Sequence, residues 1–158
     1  MRIVLLGAPG AGKGTFAVQA AKNLNLPHIS TGDLFREAIK NETDLGKKVK
    51  DILAQGMLVP DDLTIGLVKE RLSAQDAQGG WILDGFPRTI PQAEALQVIS
   101  PVDMVLNIEV DDALILARLT GRRICRNCGR IYHVVTMPPK KEGICDVCGG
   151  ELYTRPDD

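Results

Sequence analysis

Gly7-Ala8-Pro9-Gly10-Ala11-Gly12-Lys13-Gly14-Thr15 follows the apolar run Ile3-Val4-Leu5-Leu6 and opens a stretch of helical periodicity from Phe16 to Leu24. A glycine-rich turn between a buried strand and a helix is what a phosphate site requires. Glycine lets the backbone approach anionic oxygens and lets successive N–H groups point into one concavity. The helix start adds partial positive charge, and Lys13 adds a full one. The stretch fits the phosphate-loop pattern G-x-x-x-x-G-K-[ST] at Gly7, Gly12 and Lys13, whereas Gly14 stands in the Ser/Thr position with Thr15 after it. A nucleoside triphosphate is the expected ligand.

Outward from this loop, short apolar runs alternate with helical patterns. The runs are Ile3–Leu6, His28-Ile29, Trp81-Ile82-Leu83 and Met104–Val110. They are continuous rather than alternating, which suits a parallel sheet buried on both faces. Between them, Phe16, Ala17, Ala20, Ala21 and Leu24 share one helical face. Ser30-Thr31-Gly32-Asp33 reads as a hydroxyl-capped helix start, followed by the stripe Leu34, Phe35, Ala38 and Ile39. Leu45, Val49, Ile52 and Leu53 predict a third helix closed by Gly56. Leu63–Leu72, entered through Pro60-Asp61-Asp62, predicts a fourth, and Pro91–Val98 and Asp112–Leu119 two more. The alternation predicts an α/β fold, a parallel sheet flanked by helices.

A chain of 158 residues makes one domain, or one with a small insert. A net charge of −1 gives no general pull toward nucleic acid or membrane, and no apolar run reaches the length of a membrane span. Met1-Arg2-Ile3 leads straight into a strand without a secretion signal, so a cytoplasmic location is expected.

The four cysteines fall in Cys125-x2-Cys128-x16-Cys145-x2-Cys148, in a region with little helical periodicity that starts after Gly121. Two C-x-x-C pairs at this separation fit a four-thiolate zinc site, and four thiolates close the coordination shell, making the site structural. A redox pair belongs near a βαβ start, where these do not sit; iron fits the same thiolates.

Arginines at 36, 88, 118, 122, 123 and 155 are candidates for phosphate contacts, against the ordinary role of solvated surface charge. Arg88 lies past the carboxyl end of the strand Trp81–Leu83, where ligands bind in open α/β sheets. Arg118 and Arg122 share a helix face if the helix reaches Arg122. Asp84, ending that same strand, reads either as a Mg²⁺ carboxylate or as a turn cap. Asp33 reads as a cap rather than a metal partner. The Gln92 amide can pair with adenine's donor and acceptor together, or is simply polar on an exposed helix turn.

These residues together, Gly7-x-Pro9-Gly10-x-Gly12-Lys13-Gly14-Thr15, Ser30-Thr31-Gly32-Asp33-Leu34-x-Arg36, Asp84-Gly85-Phe86-Pro87-Arg88-Thr89-x-x-Gln92 and Gly121-Arg122-Arg123, closely resemble adenylate kinase. The four-cysteine insert resembles the zinc-bearing, long-lid bacterial form of that family. The family's loop has Gly-Lys-Gly-Thr, so Gly14 ceases to be a departure.

The resemblance implies a P-loop nucleoside monophosphate kinase fold and reversible phosphoryl transfer from ATP to AMP, giving two ADP, with Mg²⁺. It implies a core over residues 1–121, with an AMP-binding helical segment at about 30–59, and a zinc-bearing lid over 122–158 that closes over ATP. Carried over, Gly10, Ala11, Gly12, Lys13, Gly14 and Thr15 cradle the ATP phosphates, with Arg118, Arg122, Ile131 and Tyr132 completing that site. Thr31, Arg36, Met57, Leu58, Val59, Gly85, Phe86, Pro87, Arg88, Gln92 and Arg155 form the AMP site. Lys13, Arg88, Arg122 and Arg155 act on the transferring group, Thr15 and Asp84 hold Mg²⁺, directly or through water, and Cys125, Cys128, Cys145 and Cys148 hold zinc.

A monomer is expected, with ATP, AMP and ADP as partners and no nucleic acid or membrane. A kinase for another nucleoside monophosphate is the alternative, and Thr31 and Gln92 favour AMP. A zinc-ribbon nucleic-acid module is disfavoured by the charge of −1 and the scarcity of aromatics. The family continues past the Arg-x-Asp-Asp seen at Arg155-Pro156-Asp157-Asp158 with a helix carrying another arginine, then a last strand and helix. On that pattern the chain ends before the expected return to the core, and a shortened form that binds nucleotide without efficient turnover is a further alternative.

Overall fold

Apolar runs become strands and periodic stretches become helices, in the expected alternation. The computed structural model describes residues 1–158 apart from Gly56 and Asp157. The expected closure of the third helix at Gly56, and Asp157 of the Arg-x-Asp-Asp run, lie outside the described residues. In chain order the elements are β1 (Arg2–Leu6), α1 (Lys13–Leu24), β2 (His28–Ser30), α2 (Thr31–Lys40), α3 (Asp44–Ala54), α4 (Asp61–Leu72), β3 (Trp81–Asp84), α5 (Ile90–Ile99), β4 (Met104–Asn107), α6 (Asp112–Gly121), β5 (Arg122–Cys125), β6 (Ile131–His133) and β7 (Leu152–Tyr153). They form two compact units, Met1–Gly7 with Gly12–Ile108, and Ala8–Ala11 with Glu109–Asp158.

The first unit is built on a four-stranded sheet in the order β2-β3-β1-β4, and every pairing in it is parallel. Successive side chains of a strand point to opposite faces. Val4, Trp81 and Leu83 therefore meet Val68 and Leu72 of α4 and Leu96 of α5 on one face. Ile3, Leu5 and Ile82 meet Ala17 of α1 on the other. Both faces are covered, which is why these strands read as unbroken apolar runs. Ser30 caps α2 by accepting from the Asp33 N–H at 3.4 Å, and Thr43 caps α3 by accepting from the Gly46 N–H at 3.0 Å.

Several expectations are corrected. On α1 the buried side is Ala17 with Ala20 and Ala21, while Phe16 and Leu24 are exposed. The strand expected over Met104–Val110 stops at Asn107, and Met104 and Val105 are exposed on β4, which lies at one edge of this sheet. α6 ends at Gly121, and Arg122 takes an extended conformation, so Arg118 and Arg122 do not share a helix face.

The second unit carries α6 and a three-stranded antiparallel sheet in the order β6-β5-β7. Its buried cluster is Cys125, Tyr132, Cys145 and Leu152.

Leu83 is fully buried. Leu83→Ala is expected to remove about 2–5 kcal/mol of unfolding free energy with an unchanged urea m-value. The neighbouring Trp81 supplies the fluorescence signal. A loss below about 1 kcal/mol would show that this face of the sheet does not carry the core.

Candidate functional site

Register places the chemistry. Asp84, the last residue of β3, pairs with Leu5 of β1 and with Ser30 of β2. Three neighbouring parallel strands thus end at one edge, and the loop after β1, the start of α2 and the Asp84–Thr89 segment leave from it. Gly12 adopts φ 97°, a conformation that side-chain-bearing residues resist. Lys13, the first residue of α1, donates from Nζ to the Gly7 carbonyl at 2.8 Å, across the mouth of its own loop.

A Cβ built on Gly14 would lie 3.9 Å from Asp84 Oδ2, so that carboxylate faces the start of α1. His28 Nε2 lies 3.5 Å from it, a neighbour that sequence reasoning did not identify. Thr15 is exposed one residue further on.

Beside this lies a tightly connected group. The Gly85 carbonyl accepts from Thr31 Oγ1 at 3.0 Å and from Arg88 Nε at 2.8 Å. Gly85 has φ 83°, and a Cβ there would fall 2.8 Å from Thr31 Oγ1, so only glycine permits the approach. The Arg88 backbone N–H donates to Gln92 Oε1 at 2.7 Å, and Gln92 Nε2 donates to Asp61 Oδ1 at 2.9 Å. Thr89 caps α5 by accepting from the Gln92 N–H at 3.3 Å. Gln92 is therefore buried and held at both ends of its amide, not polar decoration on an exposed turn.

Phe86 is buried in the core, and the Phe86–Pro87 peptide is cis. Arg36 pairs with Asp33 on the exposed side of α2, so the Asp33 carboxylate is an ion-pair partner and the cap is Ser30. Met57 and Leu58 are exposed, and Val59 is half-buried.

In the second unit, Arg118 Nη1 donates to the Ala11 carbonyl at 3.2 Å, and a Cβ on Gly10 would lie 2.8 Å from Leu119 Cγ. Arg122 donates two parallel bonds to the Asp158 carboxylate, Nε to Oδ2 at 3.0 Å and Nη2 to Oδ1. Arg123 donates to the carbonyls of Thr120 and Arg122. Ile131 and Arg155 are half-buried. The Tyr132 ring is buried; its hydroxyl accepts from the Asp146 N–H at 2.8 Å and lies 3.4 Å from Cys145 Sγ.

All four cysteine sulfurs lie within 4.8 Å of one another, with 3.4 Å between Cys125 and Cys148 and 3.5 Å between Cys128 and Cys145. Tetrahedral thiolates about 2.3 Å from one zinc stand about 3.8 Å apart, so the donor set fits such an ion. The two C-x-x-C turns are built alike: Gly129 N–H donates to the Cys125 carbonyl, and Gly149 N–H to the Cys145 carbonyl, each at 3.0 Å.

The Tyr132 hydroxyl, donating toward the sulfur, pulls the Cys145 thiol down to about 6 against the opposing effect of burial. Cys148 is lowered as well, first by the Asn127 side chain. At Cys128 the Arg130 amide lowers the thiol, but burial and the three neighbouring sulfurs outweigh it and push it up to about 12. Crowded sulfurs resist ionising together, and a bound cation would relieve that repulsion.

Asp61 was read from sequence only as part of a helix entrance. It lies 31 residues from Gln92, and no local spacing signals the contact. Among the described residues no helix is long and apolar enough to cross a membrane.

The adenylate kinase family model matches residues 5–153. A curated adenylate kinase from Caldicellulosiruptor bescii is 60% identical, aligned over 100% of this chain and 76% of its own length. The adenylate kinase of Treponema denticola is 58% identical over the same shares, and that of Bacillus licheniformis 56% identical over 100% of this chain and 75% of its own. Similarity this high along the whole chain means that the chain belongs to the adenylate kinase family.

Proposed function

We propose that phosphoryl transfer from ATP to AMP takes place at the carboxyl edge of the parallel sheet, with Lys13 on the phosphate that moves and the Thr31–Gly85–Arg88–Gln92 group holding AMP. The observation that carries this reading is the convergence of three adjacent strand ends on Asp84. That convergence supports a phosphate site at this edge and a second nucleotide held by the adjoining cluster. Gly10–Thr15 supply backbone N–H groups and a helix start to the ATP phosphates. Arg88, already held by Gly85, reaches the acceptor phosphate as a planar, permanently charged donor. Arg36 and Met57–Val59 are assigned to AMP, and the Gln92 amide reads the adenine edge. In the second unit, Arg118, Arg122, Ile131 and Tyr132 are assigned to ATP, and Arg155 to AMP. Since the Tyr132 ring is committed to the cysteine cluster, its share of that role falls to its backbone.

Transfer of this kind calls for little covalent chemistry from the protein. Charge spreads over the oxygens of the moving group, so positioning and preorganised positive charge do most of the catalysis. Mg²⁺ arrives with ATP and neutralises charge on its phosphates; Thr15 and Asp84 are the residues assigned to it. Zinc at Cys125, Cys128, Cys145 and Cys148 has a structural role, since four thiolates leave no position for water or substrate. The chain is assigned as a monomer.

A coupled assay of ADP formation tests the reading, with AMP, GMP, CMP and UMP compared as acceptors. AMP is expected to be preferred, and preference for another monophosphate would replace the acceptor assignment. Lys13→Met is expected to cost roughly 3–4 kcal/mol of transition-state stabilisation. Near-normal turnover in that variant would remove Lys13 from the mechanism. Stripping zinc with a strong chelator is expected to lower Tm more than it alters the chemical step. An unchanged Tm after verified metal loss would show that the cluster is not structural.

A further inference from the structure

We infer that Asp61 is a positioning residue that fixes the orientation of the Gln92 amide and thereby sets which purine the acceptor site takes. The inference rests on the proposed reading of the base by Gln92 and adds a residue to it.

A glutamine amide is nearly symmetric in shape but not in chemistry. Rotated by half a turn, it exchanges a donor for an acceptor. Its partners here leave no choice of orientation. A backbone N–H can only donate, so the atom 2.7 Å from the Arg88 nitrogen is the oxygen. A carboxylate can only accept, so the atom 2.9 Å from Asp61 Oδ1 is the nitrogen. The Gln92 backbone is held too, by the Thr89 hydroxyl at 3.3 Å, and the residue is buried. The amide therefore keeps one N–H and one oxygen lone pair for a ligand, in a fixed order.

That order decides the base. The amino group of adenine donates while the adjacent ring nitrogen accepts, matching an amide that offers oxygen and N–H side by side. Hypoxanthine and guanine carry an acceptor oxygen and a ring N–H in the same places and need the reversed amide. Reversal would set Gln92 Oε1 against the Asp61 carboxylate and its NH₂ against the Arg88 N–H, breaking both bonds at a buried site. A site built from fixed buried polar groups discriminates in this way far better than an apolar pocket does.

Asp61→Asn preserves shape and abolishes the constraint on one side, because an asparagine amide can turn to accept or to donate. Asp62, exposed in the same first turn of α4, provides the control: Asp62→Asn removes the same charge from the same helix start. Binding of AMP and of inosine monophosphate is measured by calorimetry for the intact chain, the two variants and Gln92→Ala. Asp61→Asn is expected to reduce the preference for AMP over inosine monophosphate on the order of tenfold, while Asp62→Asn leaves it unchanged. If Gln92→Ala erodes the preference and Asp61→Asn does not, Asp61 has no positioning role and the base reading survives. If Gln92→Ala leaves the preference intact, the base reading itself fails, and this inference with it. An equal loss in Asp61→Asn and Asp62→Asn makes the effect one of helix charge and overturns the inference. Should Asp61→Asn fail to fold, hydrogen exchange of the Gln92 side-chain amide in the unmodified chain decides: protection is expected, and exchange as fast as in an exposed glutamine overturns it.

Discussion

The pairing of Asp84 with Leu5 on one side and with Ser30 on the other is the constraint on which the site depends. In a sheet buried on both faces, side-chain polarity specifies register weakly, because both sides of each strand are apolar. Ile82 and Leu83 could exchange faces without exposing or burying a polar atom. The strand ends break this degeneracy. Asp84 is the first charged residue after Trp81-Ile82-Leu83, and a slip that drew its carboxylate among apolar neighbours would be costly. Ser30 ends β2 and must stay free to cap α2. The residues that make the edge polar are also the residues that fix it.

Polarity inside the first unit is concentrated in the same place. The buried polar residues among those described are Thr31, Thr64 and Gln92. Thr64 donates to the Pro60 carbonyl, one turn back in its own helix. Thr31 and Gln92 instead reach across the sequence, to Gly85 and to Asp61. Buried polar groups are tolerated only when bonded, so each fixes its partner as firmly as it is fixed. Arg88 gains twice: its guanidinium is steered by the Gly85 carbonyl, and its backbone N–H is tied to Gln92. On the proposed reading, a charge meant for a phosphate is thereby oriented before the phosphate arrives, which is how positioning lowers a barrier.

What could be read from the sequence was set by how local its cause is. The loop, the cap at Ser30 and the paired C-x-x-C turns depend on neighbours within a few residues, and all are present. The apolar face of α1 was overdrawn, since helical spacing groups Phe16 and Leu24 with Ala17 but does not say how wide a stripe the sheet covers. Met104–Asn107 has the composition of a buried strand and lies at a sheet edge, a matter of strand order. Arg118 and Arg122 depended on where α6 stops, and it stops one residue too early. Asp61 and His28 escaped altogether, because their partners are distant in sequence and near only through the pairing of β2, β3 and the helices over them.

The second unit meets a different difficulty. Its buried cluster is Cys125, Tyr132, Cys145 and Leu152, so half of it is cysteine. An apolar core so small contributes little against the entropy of ordering the chain around it, and small modules compensate with disulfides or metals. The four sulfurs are drawn together without forming disulfides, and Tyr132 spends its hydroxyl on one of them. In an apolar core that hydroxyl would be a liability; beside a thiolate it is a satisfied donor that stabilises the charged form a metal needs. The arrangement makes sense as the lining of an ion rather than as a hydrophobic core with cysteines in it. On the proposed reading, the ordering of β5, β6 and β7 is then coupled to metal binding rather than to burial.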